Sequence, residues 1–321
     1  MHVIVRRVIQ LVVVLVVVTF FTSLLTSFLP GDPVTTIAPF SSPQDRAQIE
    51  KQLGLNENVV VRYGQWLGHF VTGDMGREYA GTGVRGASIS DRIKTSLPRS
   101  IILMIYVQII TLLFAVPLGV YSAYRQGKAF DQVANGFAFL LLSIPVYIAS
   151  VLMILLFSVR NYVIHLPSEG WVAFTTNPAQ HFSHLAMPVA AIAIGQIAVY
   201  ARLLRSDMVA TLQEDYILMA KSKGINNGRI LWRHALRPSS LTLLTVAGLN
   251  VGALISGALI VEVIFHLNGI GSLIKDAIDR RQYVALQDYI AVVAIFYVLV
   301  NFMVDALYRV LDPRIRGARI G

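Results

Sequence analysis

Three stretches carry residue types at spacings that could do chemistry. Gly81-Thr82-Gly83-Val84-Arg85-Gly86 spells G-x-G-x-x-G, which grips a dinucleotide only between a strand and a helix of a βαβ unit. Here it follows Arg77-Glu78-Tyr79 with no apolar strand before it, and a flexible loop is expected. The phosphate-binding pattern G-x-x-x-x-G-K-[ST] does not occur; Gly127-Lys128 runs directly into Ala129. If ATP drives this protein, another chain binds it. His181 and His184 stand three apart and could share a helical face toward a metal. The nearest acid, Glu169, belongs to a different part of the loop, so a solvated pair is expected. With no cysteine in the chain, disulfides, thiolate zinc sites, iron–sulfur ligation and cysteine nucleophiles are all excluded. No catalytic residue, cofactor or metal site is expected.

The elements that must position any functional residue are set by composition. Of 321 residues, 55% are hydrophobic and 14% charged, with a mean hydropathy of +0.63. A soluble domain carries about 25% charged residues, so this chain cannot cover a water-facing surface. It reads as an all-α polytopic membrane protein. A hydrocarbon core about 30 Å thick needs roughly 20 apolar residues in a helix. Six stretches qualify: Val8–Leu29, Leu97–Tyr121, Val133–Val159, Leu185–Ala201, Leu241–Ile264 and Leu286–Leu311. The first ends at Leu29-Pro30-Gly31 without a small-residue cleavage site, and its 22 apolar-run residues exceed the roughly 7–15 of a signal peptide. It is read as a retained span.

Lys and Arg in the connections set the orientation. With the N-terminus in the cytoplasm, the inner loops, helix ends and tail carry fifteen of them, against four (Arg160, Lys275, Arg280 and Arg281) in the short outer loops. Both termini are therefore expected in the cytoplasm. The net charge of +9 is a topology signal, and no nucleic-acid motif accompanies it. Two connections exceed a turn. Segment 30–96 is expected outside, polar and Gly-rich, with helical portions Pro43–Leu53 and Asn58–Val71. Segment 202–240 is expected inside and strongly basic. Loops this long usually serve function. The domain reading is an N-terminal span over 1–29, an extracytoplasmic segment over 30–96, and a core of five spans over 97–321.

Within that core, 207–238 has the marks of a short helix–Gly–helix. Glu214 and Asp215 suit a helix start, and Lys221 and Lys223 a helix end. Gly224 stands where a left-handed residue closes the helix. Asn226-Asn227 restart the chain, and Arg229–Leu236 is expected to form a second helix stopped by Pro238. Tyr216, Ile217, Met219 and Ala220 would be presented to the cytoplasm. Without further information this could also be an amphipathic helix lying on anionic lipid.

A helix–Gly–helix between the fourth and fifth spans resembles the coupling segment of ABC-importer permeases. Of the generic pattern E-A-A-x3-G-x9-I-x-L-P, only Ala220, Gly224 and Leu236 match. The dipeptide/oligopeptide (peptide/nickel) permease variant fits better, at Asp215-Tyr216, Ala220, Lys223-Gly224 and His234-Ala235-Leu236-Arg237, with Ser222 in place of a second Ala. Further marks of that branch follow in order. They are Leu29-Pro30-Gly31-Asp32-Pro33, Leu53-Gly54-Leu55, Gly73-Asp74-Met75-Gly76, Ser143-Ile144-Pro145 and Ala201-Arg202-Leu203-Leu204-Arg205-Ser206. After them come Glu262-Val263-Ile264-Phe265, Gly269-Ile270-Gly271 and Asp312-Pro313-Arg314. The chain departs from the pattern in lacking a Pro seven or eight residues after His234, in Asn268 where a Pro is usual, and in Arg281-Gln282-Tyr283 for Arg-Asp-Tyr.

The resemblance implies half of the transmembrane pathway of an importer that takes up dipeptides or oligopeptides. It implies a second homologous permease subunit, two ATPase subunits that use ATP and Mg, an extracytoplasmic substrate-binding protein, and a bacterial or archaeal cytoplasmic membrane. Contact with the ATPase would fall to Asp215, Tyr216, Ala220, Lys223 and Gly224. Candidates for the pathway or its gate are Pro145, expected to kink span three, Asn250, and Glu262 near the outer end of span five. Small residues at Gly248, Gly252 and Ser256 let another helix approach, either within the bundle or from the second permease. An Asp305–Arg309 ion pair is expected on span six. A nickel-chelate or other small-solute importer of the same family is the alternative. A self-contained secondary carrier would need intramembrane ionisable groups or a broken-helix repeat, and the sequence offers neither.

Overall fold

The computed structural model describes residues 2–28, 33–39, 42–52, 54–79, 85–160 and 164–311. Helices dominate, as the composition requires, and they fall into two compact units: residues 1–100 with 267–299, and residues 101–266 with 300–321.

In the first unit, α1 (His2–Ser27) is followed by α2 (Pro33–Ile37), α3 (Pro43–Gln52) and α4 (Val59–Thr72). Asn58 caps α4 by accepting from the Val60 N–H, and Gly73, at φ 82°, closes it. The helix is amphipathic. Tyr63 and Trp66 pack with Phe20, Phe70 and Ala291, while Val60, Val61 and Val71 are exposed. Thr19 and Tyr63 join α1 to α4 through their hydroxyls at 3.0 Å. The all-α expectation needs one correction. β1 (Arg77–Tyr79) and β2 (Arg85–Ser88) pair antiparallel; Arg85 and Gly86 of the glycine-rich motif belong to β2, and residues 81–84 of it lie outside the described residues. The unit also holds α12 (Ile270–Asp279), the start of α5 (Ile89–Tyr124) and most of α13 (Tyr283–Leu311).

The second unit is built on α8 (Pro178–Thr211) and α11 (Leu236–Ile264), with α6 (Ala129–Leu142), α7 (Val146–Ile154, continued by a π turn over Leu155–Val159), α9 (Asp215–Ser222) and α10 (Asn227–Arg229). Its core joins Tyr200, Leu204 and Met208 of α8 to Val120, Ile217, Ile230 and Leu243. At Gly119 a Cβ would sit 2.8 Å from the Ala201 carbonyl oxygen and 3.0 Å from Leu204 Cβ. Gly119→Ala is therefore expected to destabilise by about 1–3 kcal/mol through overpacking, read as a lowered thermal midpoint of the purified protein. A Cβ on Gly248 would overlap Val304 Cγ1 of α13, so at this position the small-residue face of span five is filled from within the chain.

Among the described residues three helices, Ile89–Tyr124, Pro178–Thr211 and Tyr283–Val304, are long and apolar enough to cross a membrane, and up to five if each of two bent pairs is one span. Two prolines behave differently from what the sequence suggests. At Ser143-Ile144-Pro145 the expected kink is a full break. α6 stops at Leu142, Pro145 is extended, and the following helix runs at 96° to it. Proline lacks the N–H an unbroken helix would use and disfavours helical geometry in the residue before it. Pro238, conversely, stops nothing. It lies in the first turn of α11, preceded by a π turn over Ile230–Ala235 that shifts the hydrogen-bond register so that the Leu236 N–H reaches Leu231 O. The π turn takes up the register change that a proline forces, so the helix runs on through Pro238.

Candidate functional site

The second unit gathers the residues expected to couple on one short helix and the turn that closes it. α9 begins after the extended Glu214, with Asp215 in its first turn and Lys221 in its last. Gly224 adopts φ 71°; its N–H donates to Lys221 O at 2.9 Å, and the Ile225 N–H donates to Ala220 O at 3.2 Å. This pair of bonds is a Schellman closure with glycine in the left-handed position, as the sequence suggests. Ile225 and Ala220 pack on the same core, supplying the apolar contact that accompanies such a closure. Asn226 restarts the chain, its Oδ1 accepting the Gly228 N–H at 2.7 Å.

The faces of α9 are divided differently from expectation. Ile217 is 0% and Ala220 8% exposed, both turned into the core, whereas Tyr216 is 42%, Leu218 52% and Met219 54% exposed. An eight-residue helix cannot be stable alone, so two residues must anchor it. Asp215, Lys223 and Gly224 are exposed with Tyr216. Partial burial and the nearby Glu214 charge raise the Tyr216 phenol above its ordinary pKa, so it stays neutral at physiological pH.

Between α6 and α8, sequence reasoning missed a buried ion pair. Arg205 of α8 grips Asp131 of α6 through two nitrogens, Nε to Oδ1 and Nη2 to Oδ2, the latter at 2.6 Å. The Gly127 N–H and Asn135 Nδ2 also donate to the carboxylate, at 2.9 and 2.8 Å. The only sequence signal was Arg205 inside the Ala201–Ser206 motif.

The pathway candidates are not brought together. A cavity of about 400 Å³ lies under the break in span three, lined by Ile144, Val146, Gln196 and Leu254 among others, but Pro145, Asn250 and Glu262 are not among its lining residues. Asn250 stands beside the Tyr200 hydroxyl, which also donates to Gln108 Oε1 at 3.5 Å. Glu262 is buried and does not snorkel to the surface. Of the histidine pair, His181 is not solvated, contrary to expectation. His181 is buried among Tyr106, Trp171, Phe174 and Phe182. Its Nδ1–H donates to Val172 O at 2.7 Å and its Nε2 bonds the Tyr106 hydroxyl at 3.2 Å. His184 turns instead to Glu169 O at 2.9 Å, and among the described residues no group of three His, Asp or Glu could hold a metal. The side chains of Asp305 and Arg309 lie outside the described residues.

Residues 115–317 match the family described as the inner membrane component of binding-protein-dependent transport systems, and residues 1–88 match the N-terminal membrane component of such systems. The chain is 35% identical over 314 residues to a putative peptide transport system permease protein of Brucella abortus, covering 98% of each. It is 32% identical over 315 residues to the oligopeptide transport system permease protein AppB of Bacillus subtilis, covering 97% of this chain and 98% of that one. To the dipeptide transport system permease protein DppB of Escherichia coli it is 30% identical over 336 residues, covering 98% of each. In fold it is similar to a solved structure of the MetNI methionine ABC transporter in inward-facing conformations, with a TM-score of 0.56 at 15% identity, covering 71% of this chain and 99% of that one.

Proposed function

The chain belongs to the family of inner membrane components of binding-protein-dependent transport systems, and on that premise we propose that it is a permease subunit of an ATP-driven peptide importer. Relatives named as peptide, dipeptide and oligopeptide permeases match it along nearly its whole length, which supports peptide as the cargo. It makes and breaks no bond itself. ATP and Mg are used by two separate ATPase subunits, a second permease completes the pathway, and an extracytoplasmic binding protein delivers substrate. Six spans cross the bacterial inner membrane, formed by α1, α5, the α6–α7 pair, α8, α11 and α13. Both termini face the cytoplasm, the side to which the Lys and Arg excess of the connections assigns them.

The observation that carries the coupling role is the split of α9. Ile217 and Ala220 fix it to the core while Tyr216, Leu218 and Met219 stay uncovered. An apolar face this exposed on a short helix closed at Gly224 suits a partner's groove. The ATPase docks there, with Asp215, Lys223 and Gly224 at the two ends of the contact. Closure of the ATPases moves α9 as a rigid piece, and the core it packs on moves with it.

The test is ATP-dependent peptide uptake in vesicles containing this chain with its partner permease, ATPases and binding protein. Tyr216→Asp places a charge in the apolar contact and is expected to abolish both copurification of the ATPases and uptake. Uptake that persists without ATP or ATPases would overturn the importer reading, and full uptake by Tyr216→Asp would overturn the docking face.

A further inference from the structure

A second constellation lies in the first unit, far along the chain from α9. A cavity of about 730 Å³ opens between α4, the β1 segment and the start of α13. Trp66 and Phe70 of α4 line it, their rings stacked with centroids 5.1 Å apart. Asp288 of α13 lines it too and is only 1% exposed. One carboxylate oxygen, Oδ1, accepts the Trp66 indole N–H at 2.8 Å. The other, Oδ2, is buried with no hydrogen-bond partner among the described residues.

Asp288 is not alone in this. On the same helix end, Tyr283 Oη and Gln287 Nε2 are also buried without hydrogen-bond partners among the described residues. Buried polar atoms in folded proteins are nearly always satisfied, and each exception needs a cause. Of the three only Asp288 lines the cavity, so its carboxylate is the group that a ligand there would satisfy. Other buried groups among the described residues of this unit are paired. Glu78 holds Arg92 and accepts from the Tyr289 hydroxyl, and the side-chain amide of Gln282 exchanges two hydrogen bonds with the Tyr79 backbone. Among the described residues no Lys, Arg or His forms an ion pair with Asp288.

We propose that this cavity is a binding site for a zwitterionic amine, with the ligand's ammonium group held between Asp288 and the Trp66–Phe70 faces and its anionic end toward Arg62 and Arg77. An ammonium supplies the donors that Asp288 Oδ2 lacks, in a charge-assisted bond, and is attracted to the ring faces. Arg62 and Arg77 line the same cavity and suit a phosphate or carboxylate. Asp74, also on the lining, is taken up by His69 at 3.5 Å. Two sources present this chemistry: the headgroup of an ethanolamine phospholipid, and a free short peptide with both termini charged. The proposal does not depend on α9 or on the cargo of the importer.

The test uses the purified complex with its partner subunits, probed by native mass spectrometry with phosphatidylethanolamine, with phosphatidylglycerol as the amine-free control, and with dialanine. Wild type is expected to retain phosphatidylethanolamine or dialanine over phosphatidylglycerol, and Asp288→Asn to reduce that retention by about tenfold through loss of the charge. Trp66→Phe, which keeps a ring but removes the indole donor, serves as a second variant and is expected to reduce retention by about threefold. Retention of the lipid alone identifies a headgroup site, and retention of dialanine identifies a peptide site at the start of α13. Equal retention of all three probes, retention of none, or wild-type retention by both variants overturns the proposal.

Discussion

Asp131→Ala is expected to cost about 3–5 kcal/mol of stability, the penalty for stranding one member of a buried ion pair. The carboxylate is buried and receives the Arg205 fork, the Gly127 N–H and Asn135 Nδ2 together. Its removal leaves a guanidinium whose side chain is only 24% exposed with no counter-charge. Arg205→Ala is expected to cost a similar amount by exposing the same pair from the other side. The double change Asp131→Leu with Arg205→Met is expected to recover most of the loss, because an apolar pair of similar volume escapes the desolvation penalty. Thermal unfolding of the purified complex measures all three. A loss under about 1 kcal/mol for both single variants would mean that the pair behaves as a surface salt bridge, and the tie from α6 to α8 would be dispensable.

The second large effect is expected at Gly224. A Cβ there meets nothing within 4 Å, so the cost of substitution is conformational and arises from φ 71°. Gly224→Ala is expected to weaken the closure by about 1 kcal/mol, and Gly224→Asn by less, since asparagine visits this region more readily. Gly224→Pro is a different case. Proline fixes φ near −65° and removes the N–H that bonds Lys221 O, so the helix end and the turn into Asn226 cannot both form. Uptake by the assembled importer is expected to fall by at least tenfold, about 1.4 kcal/mol or more, while Gly224→Ala retains most of it. A fully active Gly224→Pro would sink the coupling role of α9.

Much of this site was legible because its signals are local. Acid before base across one short helix, a glycine two residues after it, and Asn226 at the restart each act within a turn of their own position, and each is found where the sequence suggests. Errors came where local rules met longer-range packing. Pro238 reads as a stop, yet a π turn before it lets α11 begin beneath it. Ala220 matches a motif and was expected on the presented face, but the helix turns it inward with Ile217 because those two complete the core formed by Tyr200, Leu204 and Met208. His181 reads as one of a polar pair, whereas an aromatic cage and two hydrogen bonds absorb it.

The sequence by itself determined a membrane-embedded helical chain, an uneven spread of Lys and Arg among its connections, and a helix–Gly–helix in one of them. Transfer of apolar length, charge asymmetry and capping are properties of contiguous residues and need no partner from elsewhere. Only the tertiary structure decided which face of α9 is free, that Asp131 meets Arg205 across 74 residues, and that Trp66 meets Asp288 across 222. Those contacts exist because distant helices pack together, and no spacing along the chain encodes which polar groups that packing will bury, pair or leave unpartnered.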